Sequence, residues 1–335
     1  MSSPDTIMKA ALVETASGPF RLTDISRPAL KPGEVLVRIH ASGVNPLDVK
    51  IRAGAAAHAR HPLPAILGLD LAGVVEAVAP DVTPFGPGDE VYGMTGGVGG
   101  IQGTLADYAA VDAELLAAKP TNLSMREAAA LPLVTITAWQ GLVDHAHIRP
   151  GQTLLVQGGA GGVGHVAVQI GRALGAEVFA TGSSASAGVI RSFGATPIDY
   201  ASERVEDYVA RHTGGEGFDL VYDTGGGGVL DASFQAVKRF GHVVSALGWG
   251  NHSLAPLSFK DGTYSGVFTL APLLTGVGRA HLGDILMQAT QLIEAGKLRP
   301  RLDPRIFTLD SVAEAHAFIA SGNSAGKIVV SIVRD

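Results

Sequence analysis

The chain has 335 residues, 46% of them hydrophobic, which is long for one core and comfortable for two domains. Its formal net charge of −6 comes without a Lys/Arg cluster, which argues against a nucleic-acid partner, and its cysteine count of 0 excludes disulfides, thiolate nucleophiles and cysteine zinc sites. No apolar run is long enough to span a membrane and the start lacks a signal-like hydrophobic core, so a soluble, cytoplasmic protein with no membrane partner is expected.

The first part, to about residue 120, reads as short strands punctuated by glycine and proline. Val35–Ala41 alternates apolar with mostly polar residues, as a half-buried strand does, and Leu71–Val78 and Leu105–Val111 are similar. Pro32-Gly33 and Pro87-Gly88 mark turns, and Gly93–Gly103 reads as a flexible surface loop. Together these suggest a β-rich, barrel-like domain. From about residue 125 short apolar strands alternate with amphipathic helices. The strand candidates are Thr153–Gln157, Glu177–Thr181, Thr196–Ile198, Phe218–Tyr222, His242–Leu247 and Ser265–Thr269. Such alternation implies a parallel sheet covered on both faces by right-handed crossovers. His281–Ala295 follows as a helix with Leu282, Ile285, Leu286, Ala289, Leu292 and Ile293 on one side, and Lys327–Val333 is a final strand.

Gly159, Gly161 and Gly164 form a G-x-G-x-x-G pattern. In a glycine-rich chain the pattern alone says little, and its context says more. A buried-strand pattern precedes it, and Val163, Val166, Ala167, Ile170 and Leu174 follow at helical spacing along one face. The first glycine permits a tight turn, the second lets backbone approach a pyrophosphate, and the third lets helix pack closely on strand. The helix N-terminus then offers amide hydrogens to the phosphates. A strand–helix connection that merely needs glycine stays open as the bland alternative. The Gly225–Gly228 run is less specific and reads as a place where a cofactor passes close to a strand end.

Sites that prefer NAD carry an acid roughly 20 residues after the loop, at the end of the second strand. Here that strand ends Thr181-Gly182-Ser183-Ser184 without a carboxylate, and hydroxyls and amides there can donate to a 2′-phosphate. NADP is therefore favoured over NAD. No nearby lysine marks the phosphate, and Arg191 reads equally as a solvated helix residue.

Further motifs occur in order along nearly the whole chain. They are Gly43-Val-Asn-Pro-Leu-Asp48, Pro64-Ala-Ile-Leu-Gly-Leu-Asp-Leu-Ala-Gly73, Gly88-Asp-Glu-Val, Leu131-Pro132 with Thr137-Ala-Trp139, the glycine loop, and Gly326-Lys327. The set resembles the zinc-free medium-chain dehydrogenase/reductase superfamily, in its quinone oxidoreductase (zeta-crystallin-like) branch. The resemblance implies an α/β fold with a GroES-like β-barrel catalytic domain over 1–127 and 271–335, and a Rossmann NADP-binding domain with a doubly wound parallel sheet over 128–270. It also implies a homodimer, commonly through edge strands of the nucleotide domains, with Ser265–Thr269 as the candidate edge. Zinc alcohol dehydrogenases of the superfamily place a cysteine where this chain has Asn45, a histidine at Leu69 and a cysteine at Leu133. These replacements make no zinc ligand set, so no metal is expected.

By the same resemblance, Gly159, Ala160, Gly161, Gly162, Val163 and Gly164 line the pyrophosphate, while Gly182, Ser183, Ser184 and Tyr200 surround the adenosine phosphate. Ala246, Leu247, Gly248 and Trp249, with Val267, Phe268 and Thr269, flank the nicotinamide ribose and carboxamide. Thr224 joins the cofactor-binding set, and Asn45 and Thr137 lie near the nicotinamide. One departure concerns the substrate: tyrosines that the branch often places around it correspond here to Lys50 and Ala56.

The implied activity is hydride transfer from NADPH to a small electrophile, a quinone or an activated alkene (an α,β-unsaturated carbonyl). Such transfer needs alignment, a dry site and stabilisation of charge developing on the acceptor. Asn45 and Lys50 are the candidate catalytic residues. Asn45 would polarise the acceptor oxygen or position the nicotinamide, or else it is a turn residue before Pro46. Lys50 would orient or protonate substrate, or else it is a solvated lysine. His58 and His61 read as surface histidines of a neighbouring loop, and Asp70 as a structural ion pair or turn contact. The alternative to an enzyme is a non-catalytic NADPH-binding protein that senses redox state.

Overall fold

The structure is a computed structural model and describes residues 6–333. The chain opens with eight strands, β1 (Ile7–Val13), β2 (Phe20–Ser26), β3 (Glu34–Val44), β4 (Ala65–Ile66), β5 (Asp70–Val78), β6 (Glu90–Met94), β7 (Tyr108–Asp112) and β8 (Leu116–Ala118). Six more follow: β9 (Thr153–Gln157), β10 (Glu177–Gly182), β11 (Thr196–Asp199), β12 (Phe218–Asp223), β13 (Val237–Ser245) and β14 (Thr263–Gly266). β15 (Phe307–Thr308) and β16 (Ile328–Ser331) come last. The helices used below are α1 (Pro46–Arg52), α2 (Pro132–Trp139), α3 (Gly162–Ala173), α4 (Arg279–Glu294) and α5 (Val312–Ala320).

The chain divides into two compact units: the first takes the described residues within Met1–Leu133, Leu270–Glu294 and Pro300–Asp335, and the second takes Val134–Thr269 and Ala295–Arg299. The first boundary falls at Leu133, not at residue 127, and the short stretch Ala295–Arg299 joins the second unit. Hydrogen bonds explain that stretch. Gln169 Nε2 donates to Arg299 O at 3.0 Å, Arg299 N returns a bond to Gln169 Oε1 at 3.0 Å, and the Arg299 guanidinium reaches Ser192 O at 3.1 Å.

In the first unit, β2-β1-β4 form one sheet and β15-β16-β3-β5-β6-β8 another, with β7 paired to β3. This is the GroES-like half. β3 is its spine, because Val35, Val37, Ile39 and Ala41 recur every second residue and all are fully buried. From Ala41 to Val44 both faces are buried, where β3 is flanked by β5 and β16. On α4, Leu282, Ile285, Leu286, Ala289 and Ile293 are buried at helical spacing, and Tyr92 donates to Leu286 O at 2.7 Å.

Gly93–Gly103 is not the flexible surface loop its composition suggests. Thr95–Val98 are buried, and only Gly99 and Gly100 stand exposed. Thr95 N donates to Leu69 O at 2.8 Å, Gly97 N to Ile101 O at 3.1 Å and Gly103 N to Ile66 O at 3.0 Å. The missing side chains let this segment run under its neighbours, where its backbone groups must be paired.

The second unit is a six-stranded sheet in the order β11-β10-β9-β12-β13-β14, all pairings parallel. Leu155, Phe179, Ile198, Phe218, Val221, Leu230 and Phe234 form its core cluster, so strands and covering helices share one apolar layer. β14 ends at Gly266, which leaves Val267–Thr269 beyond the strand rather than in it, and β13 begins five residues before the expected His242. Among the described residues no helix is long and apolar enough to cross a membrane.

On α5 of the first unit, His316 is 1% exposed, its ring nitrogens have no hydrogen-bond partner among the described residues, and it packs edge-on against Phe20. Burial, reinforced by the Arg52 charge, pushes it from 6.5 down to about 4. Between those values the unfolded chain binds a proton that the folded chain refuses, so stability is lost as pH falls through that window. Urea unfolding from pH 7 to pH 4 should show the parent losing up to about 3 kcal/mol relative to His316→Leu, with no further divergence below pH 4. Parallel pH profiles would refute this.

Candidate active site

A parallel sheet gathers the carboxyl ends of its strands along one edge, and the order here reverses direction at β9/β12, where such sheets form a ligand crevice. The expected cofactor residues fall on that edge. Gly159–Gly164 follow β9, Gly182 closes β10 with Ser183 and Ser184 just after it, and Tyr200 follows β11. Thr224 follows β12, Ala246–Trp249 follow β13 and Val267–Thr269 follow β14. Thr137, on α2, joins them through its hydroxyl, 3.0 Å from that of Thr269, and its carbonyl accepts the buried Tyr222 hydroxyl at 2.6 Å.

The glycine loop divides its tasks differently from the expected assignment. The left-handed turn residue is Gly158, at φ +76°. Gly159 N donates to Thr181 O at 2.9 Å, and Gly161 is the N-cap of α3. A Cβ on Gly164 would sit 2.0 Å from Gly158 O, so only glycine lets α3 start this close to β9. The first turn of α3 thus opens on glycine backbone, a surface of bare amides that fits a pyrophosphate.

Two buried polar groups brace this edge, and sequence reasoning passed over both. Asp223, fully buried at the end of β12, accepts from Gly225 N and Gly226 N at 3.0 Å each and from the Ser245 hydroxyl at 2.6 Å. Thr181 donates to Gln157 Oε1 at 2.8 Å and accepts from Gly158 N at 3.0 Å. An Asp followed by a glycine run is an Asx-turn signal that could have found the first. Asp199 was also missed: it lies beside Gly182 in register, and its carboxylate accepts from Ala201 N at 3.0 Å.

The first unit contains a separate polar cluster at the end of β3. Asn45, the N-cap of α1, is fully buried, and so are Asp48, Asp70 and Lys327 to within a few per cent. Asn45 Nδ2 donates to Asp70 Oδ2 at 2.9 Å, and Asn45 Oδ1 accepts from the Lys327 ammonium, which also donates to Val44 O at 3.2 Å. Asp48 Oδ2 accepts from Asn45 N at 2.7 Å, and Asp70 Oδ1 accepts from Leu133 N at 2.9 Å, near the start of α2. Burial pushes Asp48 up to about 7 and Asp70 up to about 6, and it lowers Lys327. Among the described residues Asp48 Oδ1 has no hydrogen-bond partner.

This geometry changes the reading of the two expected catalytic residues. The amide of Asn45 is sealed from solvent and held by Asp70 and Lys327, so it braces rather than presents a donor. Lys50 is exposed on α1, and among the described residues its ammonium has no hydrogen-bond or ion-pair partner. Leu69 is fully buried and Leu133 partly so, both apolar. Among the described residues no group of three or more His, Asp or Glu side chains could share a metal ion.

The family model for an alcohol dehydrogenase GroES-like domain matches residues 31–121, and the model for a zinc-binding dehydrogenase matches residues 193–330. An alcohol dehydrogenase superfamily protein from Novosphingobium aromaticivorans is 61% identical with a TM-score of 0.96, covering 97% of this chain and 100% of that one. The NADPH-dependent alkenal/one oxidoreductase, chloroplastic, of Arabidopsis thaliana is 34% identical over 92% of this chain and 74% of its own length. The chain belongs to the medium-chain dehydrogenase/reductase superfamily. Within that superfamily it falls in the quinone and enone oxidoreductase branch. The spectinabilin polyketide synthase system protein NorB of Streptomyces orinoci is 36% identical over 90% of this chain, which spans 13% of that much longer protein. The residues at Asn45, Leu69 and Leu133 do not fit the metal named by the zinc-binding dehydrogenase model, in a chain that belongs to the same superfamily.

Two variants test these assignments. Folding takes up a proton at Asp48 between its ordinary 3.8 and about 7, so its stabilising contribution is complete below that window and lost as pH rises through it. Asp48→Asn, which cannot titrate, should gain on the parent by up to about 1.4 kcal/mol per pH unit from pH 4 to 7 in urea unfolding; a pH-independent difference would count against the burial argument. Gly164→Ala should destabilise the second unit by about 2 kcal/mol or more and weaken dinucleotide binding, as read by thermal unfolding with and without NADPH. An unchanged melting temperature would show that α3 can shift without harm.

Proposed function

We propose that this protein is a zinc-independent, NADPH-dependent reductase of an activated alkene, an α,β-unsaturated carbonyl, or of a quinone. The observation that carries the reading is the carboxyl edge of the parallel sheet, where Gly161 and Gly162 open α3 on bare backbone and Gly164 lets the helix start close against Gly158. The name of the Arabidopsis relative supports the cofactor and the substrate class. NADPH supplies a hydride when bound.

The chain's own residues do the rest. Amides of Gly161, Gly162 and Val163 would hold the pyrophosphate at the α3 terminus. Ser183 and Ser184 follow β10 with hydroxyls and amides in place of an acid, which suits a 2′-phosphate. Thr224, Ala246–Trp249 and Val267–Thr269 would bound the ribose and nicotinamide, with Thr137 tied to Thr269. In the barrel unit, Asn45 acts as a positioning residue: clamped by Asp70 and Lys327, it fixes the start of α1. Lys50, exposed on that helix, is the candidate to orient substrate or donate a proton, with solvent as the other source. A homodimer through β14, the end strand of its sheet, belongs to the same reading.

The test is NADPH oxidation with a panel of 2-alkenals, enones, quinones and simple ketones. Enones or quinones should be turned over, simple ketones should not, and exhaustive chelation should leave the rate within about twofold. NADPH binding without oxidation of any compound would favour a non-catalytic redox sensor. Ser183→Asp should weaken NADPH binding at least about tenfold with little effect on NADH, because it places a carboxylate where the phosphate would lie. Equal losses for both cofactors would undo the 2′-phosphate assignment.

A further inference from the structure

The loop after β13 carries Ala246–Trp249 and runs on to a short helix, Ala255–Ser258. Its near end is tied to the sheet: Ala246 N donates to Asp223 O at 3.0 Å and Leu247 N to Ser245 Oγ at 3.1 Å. Beyond that Trp249 N turns back to Leu247 O at 2.8 Å, and Gly248–Asn251 are exposed. His252 closes the far end. Its Nδ1 lies 2.8 Å from Asp231 Oδ1, and its Nε2 lies 3.1 Å from Trp249 O. Asp231 sits on the helix Gly228–Ala236, which Leu230 and Phe234, each 1% exposed, anchor in the core of the nucleotide unit.

Both atoms that face the ring nitrogens are acceptors, a carboxylate oxygen and a backbone carbonyl. A neutral imidazole has one N–H, so it donates to one of them and turns a lone pair towards the other. Only the imidazolium, a donor at both nitrogens, completes a bridge from the loop to the helix. The surroundings favour that form. The Asp231 carboxylate first, and then the Trp249 carbonyl, push His252 above its ordinary 6.5, and the Asp223 charge at the end of β12 adds to this. On β14, Tyr264 lies beside Gly248 and is kept neutral by burial. Lys238, Arg239 and His242 of β13 lie earlier on that strand, and Ala255–Ser258 carries no titratable side chain. The bridge is therefore complete below pH 6.5 and is lost as pH rises through the raised value.

We propose that His252 is a positioning residue for the cofactor, an imidazolium latch that ties the Ala246–Trp249 loop to the helix Gly228–Ala236 and releases it on deprotonation. Closed, the latch fixes the backbone that would bound the nicotinamide ribose. Open, that backbone has to be ordered on binding, which weakens affinity. NADPH is then held most tightly on the acid side and let go as His252 loses its proton. The consequence for the cofactor rests on the reductase reading above, but the latch itself can be read in the free protein.

Hydrogen exchange of segment 246–251, without ligand and relative to the intrinsic rate at each pH, should show protection falling at least about threefold from about pH 6 to about pH 9. His252→Gln, neutral throughout, should show a flat profile. Asp231→Asn, which keeps an acceptor but removes the charge, should move the midpoint to lower pH. A merely structural role for His252 would lower protection equally at every pH. By calorimetry, the Kd of NADPH should rise over the same range at least about threefold more in the parent than in His252→Gln. That comparison cancels the titration of the cofactor's own phosphate, which both proteins meet alike. Parallel profiles in parent and His252→Gln, or a midpoint unmoved in Asp231→Asn, overturn the latch and leave the reductase reading standing. Protection that follows His252 while NADPH affinity does not overturns its role in positioning the cofactor. Protection that follows His252 in a protein that binds no NADPH supports the latch and overturns the reductase reading.

Discussion

A carboxylate sealed away from water is the constraint around which the barrel-side chemistry is built. Asp70 is fully buried, and an ion placed there without partners would cost several kcal/mol. It is satisfied by the Asn45 amide, by Leu133 N and by the field of Lys327. Each partner belongs to a different element: the start of α1, the start of α2 and the residue before β16. One side chain therefore sets the register of three segments that are distant in sequence. The apolar residues at 69 and 133 border this network, and Lys327 supplies the positive charge that its two carboxylates require.

The nucleotide unit solves its problem with backbone rather than with charge. Gly158 makes the turn and Gly164 admits the close approach of α3 to β9. Buried acceptors at Asp223 and Thr181 then hold the neighbouring loops, Asp223 by taking two backbone amides and one hydroxyl. The loops are short and tethered to strand ends, so the cradle is formed before any ligand arrives. Preorganised amides of this kind bind phosphate without a lysine, in keeping with the lack of one near the loop.

The two units differ in how readily a sequence betrays them. The parallel sheet was legible because its strands are apolar runs set between helical repeats, and Thr153–Gln157 was read to the residue. Strands β13 and β14 were displaced by several residues, since Val237–Gly241 carries charge on an exposed stretch and Val267–Thr269 is apolar but lies past the last pairing. Gly93–Gly103 was misread because glycine signals a bare backbone without saying whether water or protein covers it. The partnership of Asn45 with Lys327 was not legible at all, as it joins residues 282 positions apart.

By itself the sequence determined the two-domain α/β plan, the glycine turn into α3, the lack of an acid after β10 and the lack of any cysteine. Each is a local property: hydrophobic period, a residue that must be glycine, or a side chain that is present or missing. Only the tertiary structure decided that Gly158 rather than Gly159 makes the turn and that Asn45 is a buried brace. Those facts concern which groups find partners, and partners are chosen by long-range packing, which a local pattern does not encode.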